Sequence, residues 1–126
     1  MRRYMATKLL TFTPELPIAD AVAQLVRNKY TGAPVVDGYG RLVGMLSEKD
    51  CLRVAVRANA AGAASALVGD YMTTDVQSIS PDATLFEAAE RFVAAAFKRL
   101  PVVEGGRLIG QISRIDILKA LAGESA

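Results

Sequence analysis

The sequence has 126 residues, enough for one compact domain or for two small ones that fold together. Hydrophobic residues make up 52% of it, so we expect a packed core rather than wholesale disorder. The net charge is only +2, which argues against a general nucleic-acid binder with a concentrated basic face.

Residue content narrows the chemistry further. Cys51 is the single cysteine, so no internal disulfide can form, and its apolar setting is typical of a small core residue. The absence of histidine removes the commonest general base and metal ligand. The longest uncharged run, Ala58 to Gly69, is shorter than the roughly 20 residues that span a bilayer, and Lys8 interrupts any export signal. We therefore expect a cytoplasmic protein with no metal and no required cofactor.

The first half of the chain predicts the element order β-α-β-β-α. An extended segment over Leu9–Phe12 ends at a proline turn. Valines and leucines at 35–36 and 42–46 flank a glycine-bearing turn and predict a hairpin, and a second helix begins at Ser47. Between the extended segment and the hairpin, helical spacing predicts one apolar helix face formed by Ile18, Ala21, Val22, Leu25 and Val26.

The second half predicts the same elements again. Its extended segment is Val76–Ile79, its hairpin strands are Val102–Val103 and Leu108–Ile112, and its last helix begins at Ser113. Thr84 and Glu87 form a capping-box pattern at the start of the helix between them. The apolar face of that helix is formed by Leu85, Ala88, Ala89, Phe92 and Val93.

The two halves are an internal sequence repeat, which is the most informative property of the chain. Ala33-Pro34-Val35-Val36 returns as Leu100-Pro101-Val102-Val103, and Arg41-Leu42-Val43-Gly44 returns as Arg107-Leu108-Ile109-Gly110. We divide the chain into a first unit at 1–57, an Ala/Gly-rich connector at 58–69 and a second unit at 70–126. The alanines of the connector favour a helix, which Gly62 weakens. One unit is too small to cover both faces of its sheet, so the two should pack together.

Each half carries Gly-x-x-Ser-x-x-Asp where its last helix begins, and this pattern has two interpretations. In the first, Ser47 with Asp50, and Ser113 with Asp116, are capping boxes that only stabilise the helices. In the second, the free N–H groups of the helix start attract a phosphate, and the aspartate accepts hydrogen bonds from the two hydroxyls of a ribose. The pattern itself leaves both open.

This doubled pattern, with apolar-Pro-Val-Val on the strand upstream, resembles the CBS domain over nearly the whole chain. The resemblance implies an α/β (α+β) fold: a tandem pair of β-α-β-β-α units packed sheet to sheet with pseudo-two-fold symmetry. It also implies two clefts between the units that hold adenosine nucleotides such as AMP, ADP or ATP. Some relatives hold S-adenosylmethionine instead.

The resemblance further assigns roles to residues of this sequence. Asp50 and Asp116 would bind ribose hydroxyls, and Ser47 and Ser113 would approach phosphate. The adenine would be framed by residues near Thr7, Leu9, Thr74, Val76, Ala33 and Leu100.

The halves differ in charge at one place that matters for a phosphate. Lys98 and Arg99 precede Leu100, whereas Thr31 and Gly32 precede Ala33, and Arg114 stands where the first half has Glu48. By the resemblance, Lys98 and Arg99 match the phosphate-contacting position of nucleotide-sensing relatives, and Arg114 adds a cation beside Ser113; charge-assisted bonds to phosphate are strong. Alternatively, Lys98 and Arg99 are solvated residues that favour the C-terminal dipole of the preceding helix.

Remaining features are predicted to be structural. Gly44 and Gly110 would allow close backbone approach, for packing or for a ligand. Tyr4, Met5, Tyr71 and Met72 are interpreted as packing residues rather than as a cofactor site.

Three functional hypotheses follow. The first is a regulatory, non-enzymatic module that binds an adenosine nucleotide, forms a homodimer and modulates a separate protein, with no membrane or nucleic-acid partner. The second is a ligand-free dimerisation or protein-interaction module. The third, an adenine-nucleotide hydrolase, lacks any nucleophile-base set.

Overall fold

A computed structural model of the protein describes residues 2–58, 66–95 and 98–123. Most of the predicted connector, 59–65, lies outside them. Each helix in these ranges is too short or too polar to span a lipid bilayer. The described elements are, in chain order, α1 (Ile18–Asn28), β1 (Gly32–Val36), β2 (Leu42–Ser47), α2 (Glu48–Ala58), α3 (Val68–Tyr71), α4 (Leu85–Ala94), β3 (Arg99–Glu104), β4 (Arg107–Ser113) and α5 (Arg114–Leu121).

The chain forms two compact units whose boundaries are offset from those of the sequence repeat. The first-repeat unit is Leu10–Val76, and the second-repeat unit is Met1–Leu9 together with Gln77–Ala126. The first residues of each repeat therefore belong to the unit built around the other repeat. Mixed helices and strands with two small antiparallel sheets confirm the predicted fold class.

The first-repeat unit is built on the hairpin of β1 and β2. These strands pair antiparallel, and Phe12 in the predicted extended segment adds one parallel bridge to Val35. Helix α1 covers the hairpin with Ile18, Ala21 and Leu25, which are buried. The predicted apolar face is wrong at its last member, because the side chain of Val26 is 73% exposed.

The second-repeat unit repeats this arrangement around β3 and β4. Ile79 forms the equivalent parallel bridge to Val102, and the two buried residues join Leu100 and Ile112 in a separate core. At the start of α4, Thr84 Oγ1 accepts the N–H of Glu87 at 3.0 Å, which confirms the threonine half of the predicted capping box; the structure shows no return bond from the Glu87 side chain to Thr84. The predicted apolar face of α4 is wrong at Val93, as that of α1 is at Val26, because the side chain of Val93 is 88% exposed.

In each unit, the segment that comes from the other repeat packs closely against the second hairpin strand, at a glycine of that strand. Thr73 pairs with Met45 in β2, and Ala6 pairs with Gln111 in β4. A Cβ on Gly44 would stand 2.7 Å from the sulfur of Met72, and a Cβ on Gly110 would stand 2.7 Å from the sulfur of Met5. These glycines therefore serve packing, and the two methionines lie against the cores as predicted, together with Tyr4 and Tyr71.

Candidate functional site: two first-turn aspartates

The aspartate in the first-repeat unit is enclosed by its own chain. Asp50 is 1% exposed. Its Oδ2 accepts the N–H and the hydroxyl of Ser47, both at 2.9 Å, and the N–H of Asp50 donates back to Ser47 Oγ at 3.2 Å. Its Oδ1 accepts from Arg53 Nη1 at 2.7 Å, and Thr73 Oγ1 stands 3.5 Å from both carboxylate oxygens. Both oxygens are thus engaged.

The aspartate in the second-repeat unit has the same cap and fewer partners. Asp116 Oδ2 accepts the N–H of Ser113 at 2.8 Å, and Ser113 Oγ accepts the N–H of Asp116 at 3.2 Å. Asp116 is partly exposed. Among the residues that the structure describes, none donates a hydrogen bond to its Oδ1. Both serine–aspartate caps are therefore formed, which leaves the ligand interpretation open, and among the described residues the second carboxylate keeps an oxygen that accepts no hydrogen bond.

Some of the N–H groups at each helix start also donate hydrogen bonds to backbone carbonyls of the chain itself. The N–H of Glu48 donates to the carbonyl of Thr31 at 2.9 Å, and the N–H of Arg114 donates to the carbonyl of Lys98 at 3.3 Å. With the serine caps, the first and third N–H groups of each helix are thereby satisfied within the chain. A phosphate at either place would depend more on side-chain cations than on helix N–H groups.

Among the described residues, the second helix start has the larger excess of cations, because Lys49 in the first turn of α2 is balanced by Glu48 beside it. The bond between Lys98 and Arg114 brings two exposed cationic residues to the beginning of α5. Arg99 is the strand partner of Ser113, the residue that caps α5. At the beginning of α2 the equivalent bond joins neutral Thr31 to acidic Glu48. The sequence contrast between the halves therefore becomes a contrast in local charge.

The residues expected to frame an adenine fall into two classes. The side chains of Ala33 and Leu100 are each 1% exposed and lie in the cores of their units, so neither offers an open side-chain surface. The others lie at or near the surface. Thr7 and Leu9 share the second-repeat unit with Asp116, whereas Thr74 and Val76 share the first-repeat unit with Asp50. Contact of any of them with a ligand stays a prediction.

Sequence reasoning missed two residues that hold Asp50. Arg53 could have been found, because a cation three residues after an acid on a helix lies on the same face. Thr73 could not, because it reaches Asp50 through the exchange of segments between units. The second-repeat unit has Lys119 and Ala6 at these positions. Within the described part of the chain, no three His, Cys, Asp or Glu side chains are grouped as a metal site.

Solved structures of similar sequence share this fold. The chain superposes on CBSX2 from Arabidopsis thaliana, crystallised in complex with AMP, with a TM-score of 0.81 and 30% identity. The match covers 95% of this chain and 93% of that one.

Relatives known from sequence include longer proteins. Protein MJ1225 of Methanocaldococcus jannaschii is 29% identical over 126 residues, and an A-adding tRNA nucleotidyltransferase of Aquifex aeolicus is 30% identical over 126 residues. These matches cover 100% and 96% of this chain, but only 44% and 14% of the relatives. The chain thus spans less than half the length of either. A sequence profile of the CBS domain matches residues 1–57 and again 68–123, so the chain belongs to the CBS-domain family.

Proposed function

We propose that this chain is a regulatory module that binds an adenosine nucleotide of the AMP, ADP or ATP type and has no catalytic activity of its own. The carrying observation is the available Oδ1 of Asp116, a partly exposed carboxylate oxygen in the first turn of α5. Since a carboxylate accepts hydrogen bonds only, this oxygen suits the hydroxyl of a ribose. The AMP complex of CBSX2, which is 30% identical, supports an adenosine ligand.

The charges near α5 support a phosphorylated ligand rather than a free nucleoside. Lys98 and Arg114 are exposed and joined by a backbone hydrogen bond, so their side chains start from adjacent points. Bonds from Lys or Arg to phosphate are about twice as strong as neutral ones. We therefore assign the ribose to Asp116 and the phosphate to this pair of cations.

Isothermal titration with AMP, ADP, ATP and S-adenosylmethionine tests the proposal on folded, ligand-free protein. The variant D116N keeps one oxygen that can accept the N–H of Ser113, but it loses the charge and the second acceptor. We expect D116N to weaken AMP binding more than tenfold with little change in melting temperature. Absence of heat with all four ligands would contradict the proposal.

The phosphate assignment has its own test with matched variants. K98A and R114A should each weaken AMP binding about tenfold and leave adenosine binding within about twofold. K119A, which removes an exposed cation from the last turn of the same helix, is the control and should leave both unchanged. Equal losses for AMP and adenosine in K98A and R114A would contradict a phosphate role.

A second candidate, an assembly module that needs no ligand, is favoured by the exposed apolar residues of the helices. On α4 and α5 of the second-repeat unit these are Phe86, Val93, Ile115, Leu118 and Leu121. Large apolar side chains gathered on a surface are typical of protein interfaces. We propose a homodimer that modulates a separate protein for both candidates. Sedimentation of the ligand-free protein tests the dimer, and an unchanged dimer without any nucleotide binding would favour the second candidate.

A further inference from the structure

The two repeats present chemically different aspartates, although the sequence pattern around them is the same. Asp50 is 1% exposed and Asp116 is partly exposed. This difference determines how many of the two positions can bind a ligand. The repeated sequence pattern does not determine it, because the pattern is the same in both halves. The inference below rests on the proposed function and specifies where and how often the nucleotide binds.

Asp50 lacks the two free acceptor positions that the two hydroxyls of a ribose need. Ser47 supplies two donors to Oδ2 at 2.9 Å, and Arg53 supplies one to Oδ1 at 2.7 Å. Thr73 stands 3.5 Å from both oxygens. A ribose diol that approached Asp50 would have to displace at least the Arg53 guanidinium, exchanging a charged donor for a neutral one.

The residues that close Asp50 are replaced in the second-repeat unit. Ala6 pairs with Gln111 as Thr73 pairs with Met45, so the equivalent position beside Asp116 carries a methyl group instead of a hydroxyl. Lys119 takes the position of Arg53, and no ion pair joins it to Asp116 in the described part of the chain. Asp116 therefore keeps the acceptor that Asp50 has lost.

Charge separates the two positions in the same direction. The start of α5 has Lys98 and Arg114 on adjoining backbone, whereas at the start of α2 neutral Thr31 adjoins Glu48, and the one cation of that turn, Lys49, only balances Glu48. A phosphate next to Glu48 would meet a like charge, which is unfavourable. The free carboxylate oxygen of Asp116 and the local positive charge are independent observations, and both favour nucleotide binding at the start of α5 over the start of α2.

We infer that one chain binds one nucleotide, at Asp116, and that Arg53 and Thr73 are specificity-determining residues that keep Asp50 from forming a second site. The doubled motif then encodes one ligand position and one structural cap.

Titration of AMP into the wild-type protein measures the stoichiometry directly. We expect one AMP per chain, a loss of more than tenfold in affinity in D116N, and a change within about twofold in D50N. Two equivalents in the wild type, with one lost in D50N, would overturn the inference and leave the proposed function intact. One equivalent that is lost in D50N and kept in D116N would also overturn it. No binding of AMP, ADP, ATP or S-adenosylmethionine would overturn the proposed function itself.

Because D50N removes a buried cap and ion pair, its fold must be checked by circular dichroism, and a second variant avoids the problem. The quadruple variant T31K/E48R/R53K/T73A gives the first helix start the residues that the second-repeat unit has at these four positions, while Asp50 and its serine cap stay in place. We expect it to bind a second AMP per chain, at an affinity within about tenfold of the first. A melting curve like that of the wild type with stoichiometry still at one would contradict the role of Arg53 and Thr73.

Discussion

Alanine in place of Gly110 tests the exchange of segments between the two units. The added Cβ would stand 2.8 Å from the carbonyl oxygen of Ala6 and 2.7 Å from the sulfur of Met5. The sulfur belongs to a flexible side chain that can move. The carbonyl cannot move easily, because the N–H and carbonyl of Ala6 are both bonded to Gln111 at 2.8 and 2.9 Å.

The magnitude follows from two opposing effects. Overpacking of this kind costs about 1–3 kcal/mol. Replacing glycine by alanine also restricts the unfolded chain, which returns about 0.4–1 kcal/mol. We expect G110A to lower the free energy of unfolding by about 1–2 kcal/mol, equivalent to a fall in melting temperature of roughly 4–8 °C.

Two other glycines of the chain provide graded controls. In G44A the new Cβ would meet the sulfur of Met72 at 2.7 Å but the backbone oxygen of Thr73 only at 3.0 Å, so its cost should be smaller. A Cβ on Gly38 would meet nothing within 4 Å, so G38A should leave stability unchanged or slightly raised. Thermal melting by circular dichroism should rank them G110A, G44A, G38A from least to most stable. Equal melting of G110A and G38A would refute the packing of the N-terminal segment on β4.

Three further predictions concern the caps and the titrating groups. S113A removes the hydroxyl that accepts the N–H of Asp116 at 3.2 Å, so thermal melting should show a loss of about 1 kcal/mol. Burial raises the pKa of the Cys51 thiol, and two neighbouring carboxylates raise it further. Alkylation of Cys51 by iodoacetamide should therefore need a higher pH than alkylation of a free thiol. Alkylation at the pH that suffices for a free thiol would contradict this. The N–H of Arg41 lowers the pKa of Asp37, so this carboxylate stabilises the folded state above its unfolded pKa, and the contribution is lost as pH falls through the folded pKa. An NMR titration of Asp37 with a midpoint at or above that of an unfolded peptide would be inconsistent with that bond.

Most local structure of this protein could be predicted from the sequence alone. Helical and alternating apolar spacing, glycine turns and serine caps are local signals, so the two hairpins and the helix starts at Ser47 and Ser113 were predicted correctly. Two errors, Val26 and Val93, lie at helix ends, and the predicted first strand of each unit forms only one bridge, at Phe12 and at Ile79. Spacing places a residue on a helix face, but whether the core extends that far depends on what packs there.

The tertiary structure alone decided how the repeats are assembled and how their aspartates differ. Ala6 and Thr73 are far in sequence from the hairpins they join, so no local pattern could assign them to the opposite unit. The same exchange brings Thr73 to Asp50 across 23 positions of the sequence. The sequence determined that the chain has two copies of one motif. Long-range contacts determined that one aspartate is enclosed and the other retains an available oxygen, because the burial of a carboxylate depends on its neighbours in space.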